Sequence, residues 1–366
     1  MSDSAESRSI ALDAMGGDLG PVEVVGGVRA ALASNTVFDR IYLVGKEDIL
    51  EPLARDAGLL DDPRIVIFHA SEVIGMDEKP VQALKQKRDA SMTRAIELVK
   101  MGNCQAAVSC GNTGALMACG TLKLRTMPGV TKPAIATAIP TRTNHFILID
   151  AGANPVAKAD DLVNNAILGH HYARITLNCE APRVGLLSIG TEEGKGNETT
   201  LEAHEHLKNI RDLVDYTGLV EGSLLFDNAV DVVVCDGFVG NILLKTCESL
   251  VGMFKQLLRD ELGRSLPRRL GALISRGAFT DIRERTNKDR YGGAPLLGLN
   301  GTILKAHGSS NRHAITHAIR IAGEVAVHHL RQHAEGDIAE AQRRIRAAED
   351  ANPDSAGDEP TARPSA

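Results

Sequence analysis

The sequence predicts an α/β fold with a mainly parallel sheet covered on both faces. Three observations carry that expectation. Short apolar runs alternate with helical patterns along almost the whole chain, as repeated strand–helix units require. The runs are continuous rather than alternating with polar residues, as in strands buried on both faces. Glycine-rich or polar loops follow one strand after another.

In chain order, Ile10–Leu12 reads as a strand, Asp13–Asp18 as a glycine turn and Pro21–Ala33 as a helix. Its opening proline fits a first turn, where a missing N–H costs nothing. Arg40–Val44, Lys46–Ala57 and Ile65–Phe68 read strand, helix, strand. Ser91–Val99, Ala106–Ser109 and Thr113–Leu122 read helix, strand, helix. Ile135–Ile139 and Phe146–Ile149 are strands, followed by a helix over Asp160–Leu177. Val184–Ile189, Thr199–Asn209 and Val232–Val234 continue the alternation, and Thr302–Leu304 and Asn311–His333 close it.

Two helices, Val239–Leu262 and Pro267–Arg285, have no strand between them. They predict a projecting hairpin with Gly263–Pro267 as its turn. Leu258, Leu262, Leu266, Leu270, Leu273 and Ile274 recur there at helical spacing, between Arg259, Arg264, Arg268 and Arg269. Such an amphipathic hairpin suits a dimer contact first and a membrane surface second. One α/β domain is expected over 9–333, with the hairpin at about 239–286. A polar tail at 1–8 is expected to be disordered, and a second at 334–366 to be largely so after a brief helix.

Composition narrows the function. The chain has no Trp, four Tyr and seven Phe, which argues against base-stacking and sugar-stacking surfaces and so against nucleic acid. Six scattered cysteines form no Cys-x-x-Cys pair and read as reduced core residues. The start is polar, without a secretory apolar stretch, and no run approaches the ~20 residues that span a bilayer. A reducing cytoplasm is the expected compartment. The formal charge is −6, yet Lys255–Arg290 carries ten Lys or Arg against five Asp or Glu. That island suits an acidic partner or an anionic membrane surface, while a solvated helical face is the plain alternative.

Ligands of open parallel sheets bind beyond the carboxyl ends of strands. Six loops qualify: Asp13–Asp18, Ser109–Gly114, Asp150–Asn154, Gly190–Asn197, Asp236–Asn241 and His307–Asn311. Gly16 and Gly17 let the backbone approach a ligand, and the helix start behind them attracts an anion. A glycine turn that serves packing alone would look the same. Asn112 or Thr113 can cap the next helix and leave N–H groups for an anion. The Gly190–Gly196 segment misses the phosphate-loop spacing, and Asp13–Asp18 misses the dinucleotide fingerprint. No metal-ligand spacing is present; His170-His171 and His328-His329 are adjacent pairs that read as core or surface histidines. His307 can move protons near neutral pH. Lys195 and Lys245 can neutralise a phosphate or oxyanion, and Asn112, Asn154 and Asn241 can orient it. The set describes transfer involving phosphate or a carbonyl.

These residues resemble a known family. Ala11–Pro21, Glu78–Leu84, Ser91-Met92, Gly111–Met117, Asp150–Asn154, Ile189–Gly196, Asp236–Lys245 and Gly292–Ser310 are similar to the bacterial acyl-acyl-carrier-protein:phosphate acyltransferase of phospholipid synthesis. The resemblance covers about Ser9 to His333. It implies a Rossmann-like three-layer α/β/α sandwich, similar to phosphotransacetylases and isocitrate-dehydrogenase-like enzymes. It implies reversible transfer of a fatty acyl group from acyl-acyl carrier protein to inorganic phosphate by direct attack on the thioester, without a cofactor or metal. It implies a homodimer, peripheral on the inner face of the cell membrane, feeding a membrane glycerol-3-phosphate acyltransferase. On that pattern Lys195, Asn241 and His307 are catalytic. Asp13, Gly16, Gly17, Asn112, Thr113, Asp150, Asn154, Lys245 and Ser309 bind phosphate or substrate. Arg259, Arg264, Arg268 and Arg269 face the carrier protein or membrane.

Two departures stand out. Cys110 occupies the place of a small residue such as Ala and opens a covalent acyl-thioester route. The hairpin turn is more basic and less apolar than a membrane-inserting loop. The alternatives are a nicotinamide-dependent dehydrogenase of related fold, a phosphotransacetylase acting on acyl-coenzyme A, and a non-enzymatic membrane scaffold for the carrier protein.

Overall fold

A computed structural model describes residues 8–34, 38–286, 293–327 and 330–351. The alternation becomes a sheet of eleven strands among these residues. The first part of the chain runs β1 (Ser9–Asp13), α1 (Pro21–Ala33), β2 (Arg40–Gly45), α2 (Glu47–Asp56), β3 (Ile65–His69), α3 (Pro80–Gln86), α4 (Ser91–Lys100), β4 (Ala106–Ser109) and α5 (Thr113–Leu124). The middle adds β5 (Ala134–Pro140), β6 (His145–Ile149), α6 (Ala159–Thr176), β7 (Val184–Leu187), α7 (Glu198–Lys208), β8 (Tyr216–Val220) and β9 (Val232–Val234). The last part is α8 (Gly237–Gly263), α9 (Leu266–Ile274), α10 (Arg276–Arg285), β10 (Ala294–Leu297), β11 (Thr302–Lys305), α11 (Arg312–Val327) and α12 (Leu330–Ala351).

Strand order is β3-β2-β1-β4-β11-β10-β5-β6-β9-β7-β8. The block β3-β2-β1-β4-β11 is parallel throughout, and so is β6-β9-β7-β8. Antiparallel β10 and β5 join the two blocks. The short β10 pairs its first residues with β11 and its last with β5.

Two apolar clusters show the three layers. Ile10 and Leu12 of β1 face one cluster with α1, α6, α7, α11 and α12, while Ala11 faces the other with α4 and α5. Phe146 and Leu148 likewise part from Ile147 and Ile149 along β6. Burial on both faces is why the runs are continuous in sequence. All six cysteines are unpaired, as their scatter predicts.

The structure departs from the sequence reading at four elements. α3, β8 and β10 were not expected, and the second hairpin helix divides at Ser275 into α9 and α10. The folded region also runs beyond 333. α12 continues to Ala351 and buries Ala334, Ile338, Ala341 and Ile345 at helical spacing. Those small and branched residues give a polar-looking segment one apolar stripe, which packs against α6. Residues 1–7 and 352–366, Gly292 and the pair His328-His329 lie outside the described residues. His170 and His171 are buried, with ring centroids 5.6 Å apart at 85°. His171 Nε2 sits 2.8 Å from Asp337 Oδ2, fastening α6 to α12.

Candidate active site

Asp13 ends β1 and is 3% exposed. Its Oδ2 accepts the Ser109 hydroxyl at 2.6 Å, and its Oδ1 accepts the Ser91 hydroxyl at 2.6 Å. Oδ1 also accepts the backbone N–H groups of Met15 and Gly16 at 3.3 and 3.2 Å. Burial raises this carboxyl's pKa against those bonds, which lower it. The sequence reading puts Asp13 on substrate. Its oxygens instead shape the loop, tying the ends of β1, β4 and α4 into one floor.

Above that floor three loops meet. Asp18 N–H donates to Gly308 O at 2.7 Å, joining the loop after β1 to the loop after β11. A Cβ on Gly17 would stand 2.8 Å from Cys110 Cβ and 3.0 Å from Gly308 O, and Gly17 has φ +93°. A Cβ on Gly16 would stand 2.8 Å from the Gly111 nitrogen. Close approach therefore requires glycine at both positions, and at Gly17 the backbone conformation requires it as well. Asn112 caps α5, accepting Ala115 N–H at 3.0 Å, and its Nδ2 donates to Met76 O at 2.6 Å and to Glu78 O at 3.2 Å. The cap predicted for this helix is present, but the amide is spent on it. Thr113 is exposed on the first turn of α5, where a helix presents N–H groups that lack intrahelical partners. His307 and Ser309 are exposed on the rim, and His307 Nδ1 lies 2.9 Å from Ser309 Oγ and accepts Ser309 N–H at 3.2 Å.

Cys110 lines the wall between the loops after β1 and β4. Burial pushes its thiol up to about 12, which suits a packing residue and not a nucleophile at neutral pH. The covalent route finds no support in that environment.

A second group of loops follows β6, β9 and β7. Asp150, 1% exposed, accepts N–H groups from Ile135, Gly152 and Ala153 through Oδ1 and from Asn154 through Oδ2. Burial raises its pKa against these bonds. Asn154 Nδ2 donates to Pro133 O at 2.7 Å and Asp150 Oδ2 at 3.1 Å. Both residues, expected on substrate, hold their own loop. α8 lands on that loop through glycine: a Cβ on Gly240 would stand 1.9 Å from Asp150 O. Asp236 caps α8 by accepting Val239 N–H at 2.8 Å. Asn241, which follows Gly240, is exposed and lies against Gly152, where a Cβ would come 3.2 Å from Asn241 Oδ1.

One turn further along α8, Lys245 pairs with Glu248 at 2.9 Å. Lys195 is exposed on the loop after β7, where its N–H donates to Glu192 O at 3.2 Å and its carbonyl oxygen accepts the Ser188 hydroxyl at 2.7 Å. The structure thus gathers His307, Ser309, Gly16, Gly17, Asn112 and Thr113 in one cradle and sets Asn241 and Lys245 on α8. Lys195 stands apart, on the loop of a strand separated from β6 by β9. In the hairpin, Arg264 and Arg268 share Glu261 at 2.7 Å each, and Arg269 Nε donates to Gly263 O at 2.9 Å. Among the described residues no cluster fit for a metal is present.

Comparison with known proteins decides the family. A family model described as "Fatty acid synthesis protein" matches residues 8–332. The phosphate acyltransferase of Acidobacterium capsulatum is 44% identical over 330 residues, 90% of this chain and 97% of that one. That of Heliobacterium modesticaldum is 46% identical over 313 residues, 86% of this chain and 92% of that one. The chain belongs to the phosphate acyltransferase family. It is an acyltransferase, and phosphate takes part in the transfer.

Solved structures agree on the fold. A phosphotransacetylase from Streptococcus pyogenes covers 88% of this chain and 95% of its own, with TM-score 0.61 and 18% identity. The EutD phosphotransacetylase from Staphylococcus aureus gives TM-score 0.59 at 15% identity, over 88% and 96%. The loops after β1, β4 and β11 meet at one end of the sheet, and α8 carries an exposed amide, Asn241. Lys305, the last residue of β11 and two places before His307, also stands at this strand end, although the loop rule starts only at His307. Among the described residues no helix is long and apolar enough to cross a membrane.

Proposed function

We propose that this acyltransferase passes a fatty acyl group from an acyl carrier protein thioester to inorganic phosphate, reversibly, giving acyl phosphate. The carrying observation is the meeting of three glycine-bearing loops at Asp18–Gly308, Gly17–Cys110 and Gly16–Gly111. That cradle suits a small tetrahedral anion. A phosphate oxygen attacks the thioester carbon, the C–O bond forms, and the C–S bond breaks with its electron pair leaving on sulfur. Asn241 donates to the carbonyl oxygen as negative charge develops. His307 gives the departing thiolate its proton, and Lys245 balances charge on phosphate, while Lys195, on the loop after β7, faces the carrier side of the substrate.

Apolar side chains near the second loop group support a long acyl chain. Ile189 is 81% exposed, and Phe238 and Ile242, one turn apart on α8, are 61% and 51% exposed. From there α8 runs about 40 Å at helical rise into the hairpin, whose Leu266, Leu270, Leu273 and Ile274 are exposed. A second copy of the chain covers this stripe in a homodimer. Arg259, Arg264, Arg268 and Arg269 meet the acidic carrier or an anionic membrane surface. Membrane contact is peripheral, on the cytoplasmic side, and brings acyl phosphate to a membrane glycerol-3-phosphate acyltransferase. Its electrostatic share weakens in salt.

The test is release of carrier thiol from palmitoyl-acyl carrier protein, with hydroxylamine trapping of acyl phosphate. The expected result is release that needs phosphate and yields acyl hydroxamate. Release without phosphate describes a thioesterase and ends the proposal. Transfer from acyl-coenzyme A alone overturns the carrier-protein part.

A further inference from the structure

Lys305 is the last residue of β11, in register with Ser109 of β4 and Ala294 of β10. The register sets it level with Ser109, and through Ser109 with Asp13, so Lys305 stands at the same end of the sheet as the loops after β1, β4 and β11. Its Nζ donates to the carbonyl oxygen of Ala306. Among the described residues no carboxylate oxygen lies within ion-pair distance of it. The acids that act on it electrostatically are exposed Asp18 and Asp13, whose oxygens are taken by Ser91, Ser109, Met15 and Gly16. A half-buried ammonium without a bonded counter-charge is costly unless a ligand supplies one. Lys245, on α8 after the other block of the sheet and paired there with Glu248, acts on it as a second, weaker positive charge.

We propose that Lys305 binds the attacking phosphate directly, as the floor of the anion cradle, with Lys245 closing over it from α8. This rests on the acyl-phosphate reading above. The ammonium donates to a phosphate oxygen and keeps its proton while the C–O bond forms and the C–S bond breaks. Backbone N–H groups of the three loops hold the remaining oxygens. Burial is the main cause that lowers the Lys305 pKa. Repulsion from Lys245 acts the same way, while Cys110, Asp18 and Asp13 oppose it. Bound phosphate offsets both costs, so phosphate is held best where Lys305 is charged.

The experiment is phosphate saturation of thiol release at fixed, saturating acyl carrier protein, for the wild type, Lys305→Met and Lys305→Arg. Lys305→Met is expected to raise the phosphate KM by roughly 10–100-fold, the effect of losing a hydrogen bond to a charged group. The KM for acyl carrier stays within about twofold, and Lys305→Arg restores part of the loss. In the wild type the phosphate KM rises on the alkaline side, and Lys305→Arg moves that rise to higher pH. An unchanged phosphate KM in Lys305→Met overturns the proposal. So does an effect confined to the KM for acyl carrier, which would assign the lysine to the phosphodiester of the carrier's prosthetic arm. If Lys305→Met does not fold, the alkaline rise and its shift in Lys305→Arg decide alone. Inorganic phosphate binding is read separately, as the rise in thermal midpoint with phosphate at constant ionic strength. Should wild-type turnover be absent while that rise depends on Lys305, the anion site stands and the acyl-phosphate reading falls. Should the rise be equal in the wild type and Lys305→Met, the anion site falls.

Discussion

Asp13 accepts the Ser109 hydroxyl at 2.6 Å, a side-chain bond that adds to the ladder joining the ends of β1 and β4 beneath the cradle. The same carboxylate holds Ser91 and two loop N–H groups. Asp13→Ala leaves these buried donors without an acceptor, each at a cost of about 1–3 kcal/mol. Denaturant unfolding is expected to show a loss of about 3 kcal/mol or more, with a raised phosphate KM. Stability within about 0.5 kcal/mol of the wild type would contradict this role.

Gly240 and Gly252 give a paired test within α8. A Cβ at Gly240 would stand 1.9 Å from Asp150 O, whereas one at Gly252 meets open space. Gly240→Ala must push the helix off the Asp150 loop and move Asn241 with it. A loss of about 1–3 kcal/mol is expected, with kcat falling at least about tenfold because misplaced donors stabilise the transition state poorly. Gly252→Ala gains about 0.5–1 kcal/mol from helix propensity and keeps activity. Equal behaviour of the two variants would refute the close approach.

Cys110 provides the test of covalent chemistry. Its thiol, pushed up to about 12 by burial, is almost wholly protonated at pH 8, and thiolate is the reactive form. Cys110→Ala is expected to keep kcat within about twofold, and iodoacetamide is expected to spare Cys110 in the folded protein. A loss of turnover of about a hundredfold in a folded Cys110→Ala would restore the thioester route.

The strands legible in the sequence are those with uninterrupted apolar runs, such as Ile41–Val44 and Phe146–Ile149. β10 was hidden because Pro295 lies in it, and proline argues against a strand interior. β8 was hidden by Gly218 (φ +118°), beside a shift of register between β7 and β8. The loop rule marks the loops but not the direction in which their acids turn. Sequence shows Asp13 and Asp150 next to glycines and cannot show that their oxygens turn inward onto their own loops. The place of Lys305 is hidden for the converse reason. A lysine ending a strand looks like a solvated boundary until the register places it beside Ser109.

His170 links burial to pH. Burial lowers its pKa from 6.5 to about 4, helped by the neighbouring His171. The folded state therefore keeps His170 neutral where the unfolded chain would protonate it. Above about pH 6.5 neither state binds the proton and the stability is fully present; as pH falls from there toward 4, the unfolded state takes it up alone and stability declines. One such group contributes a loss of about 2 kcal/mol by pH 5 and about 3 kcal/mol by pH 4. His171 is lowered by the same cause and adds to the slope. Urea midpoints measured from pH 7.5 to 5 are expected to fall in the wild type and to fall less in His170→Gln, which keeps a polar group near Pro182 O. Equal slopes in the two proteins would show that His170 does not titrate between the folded and unfolded states in this range.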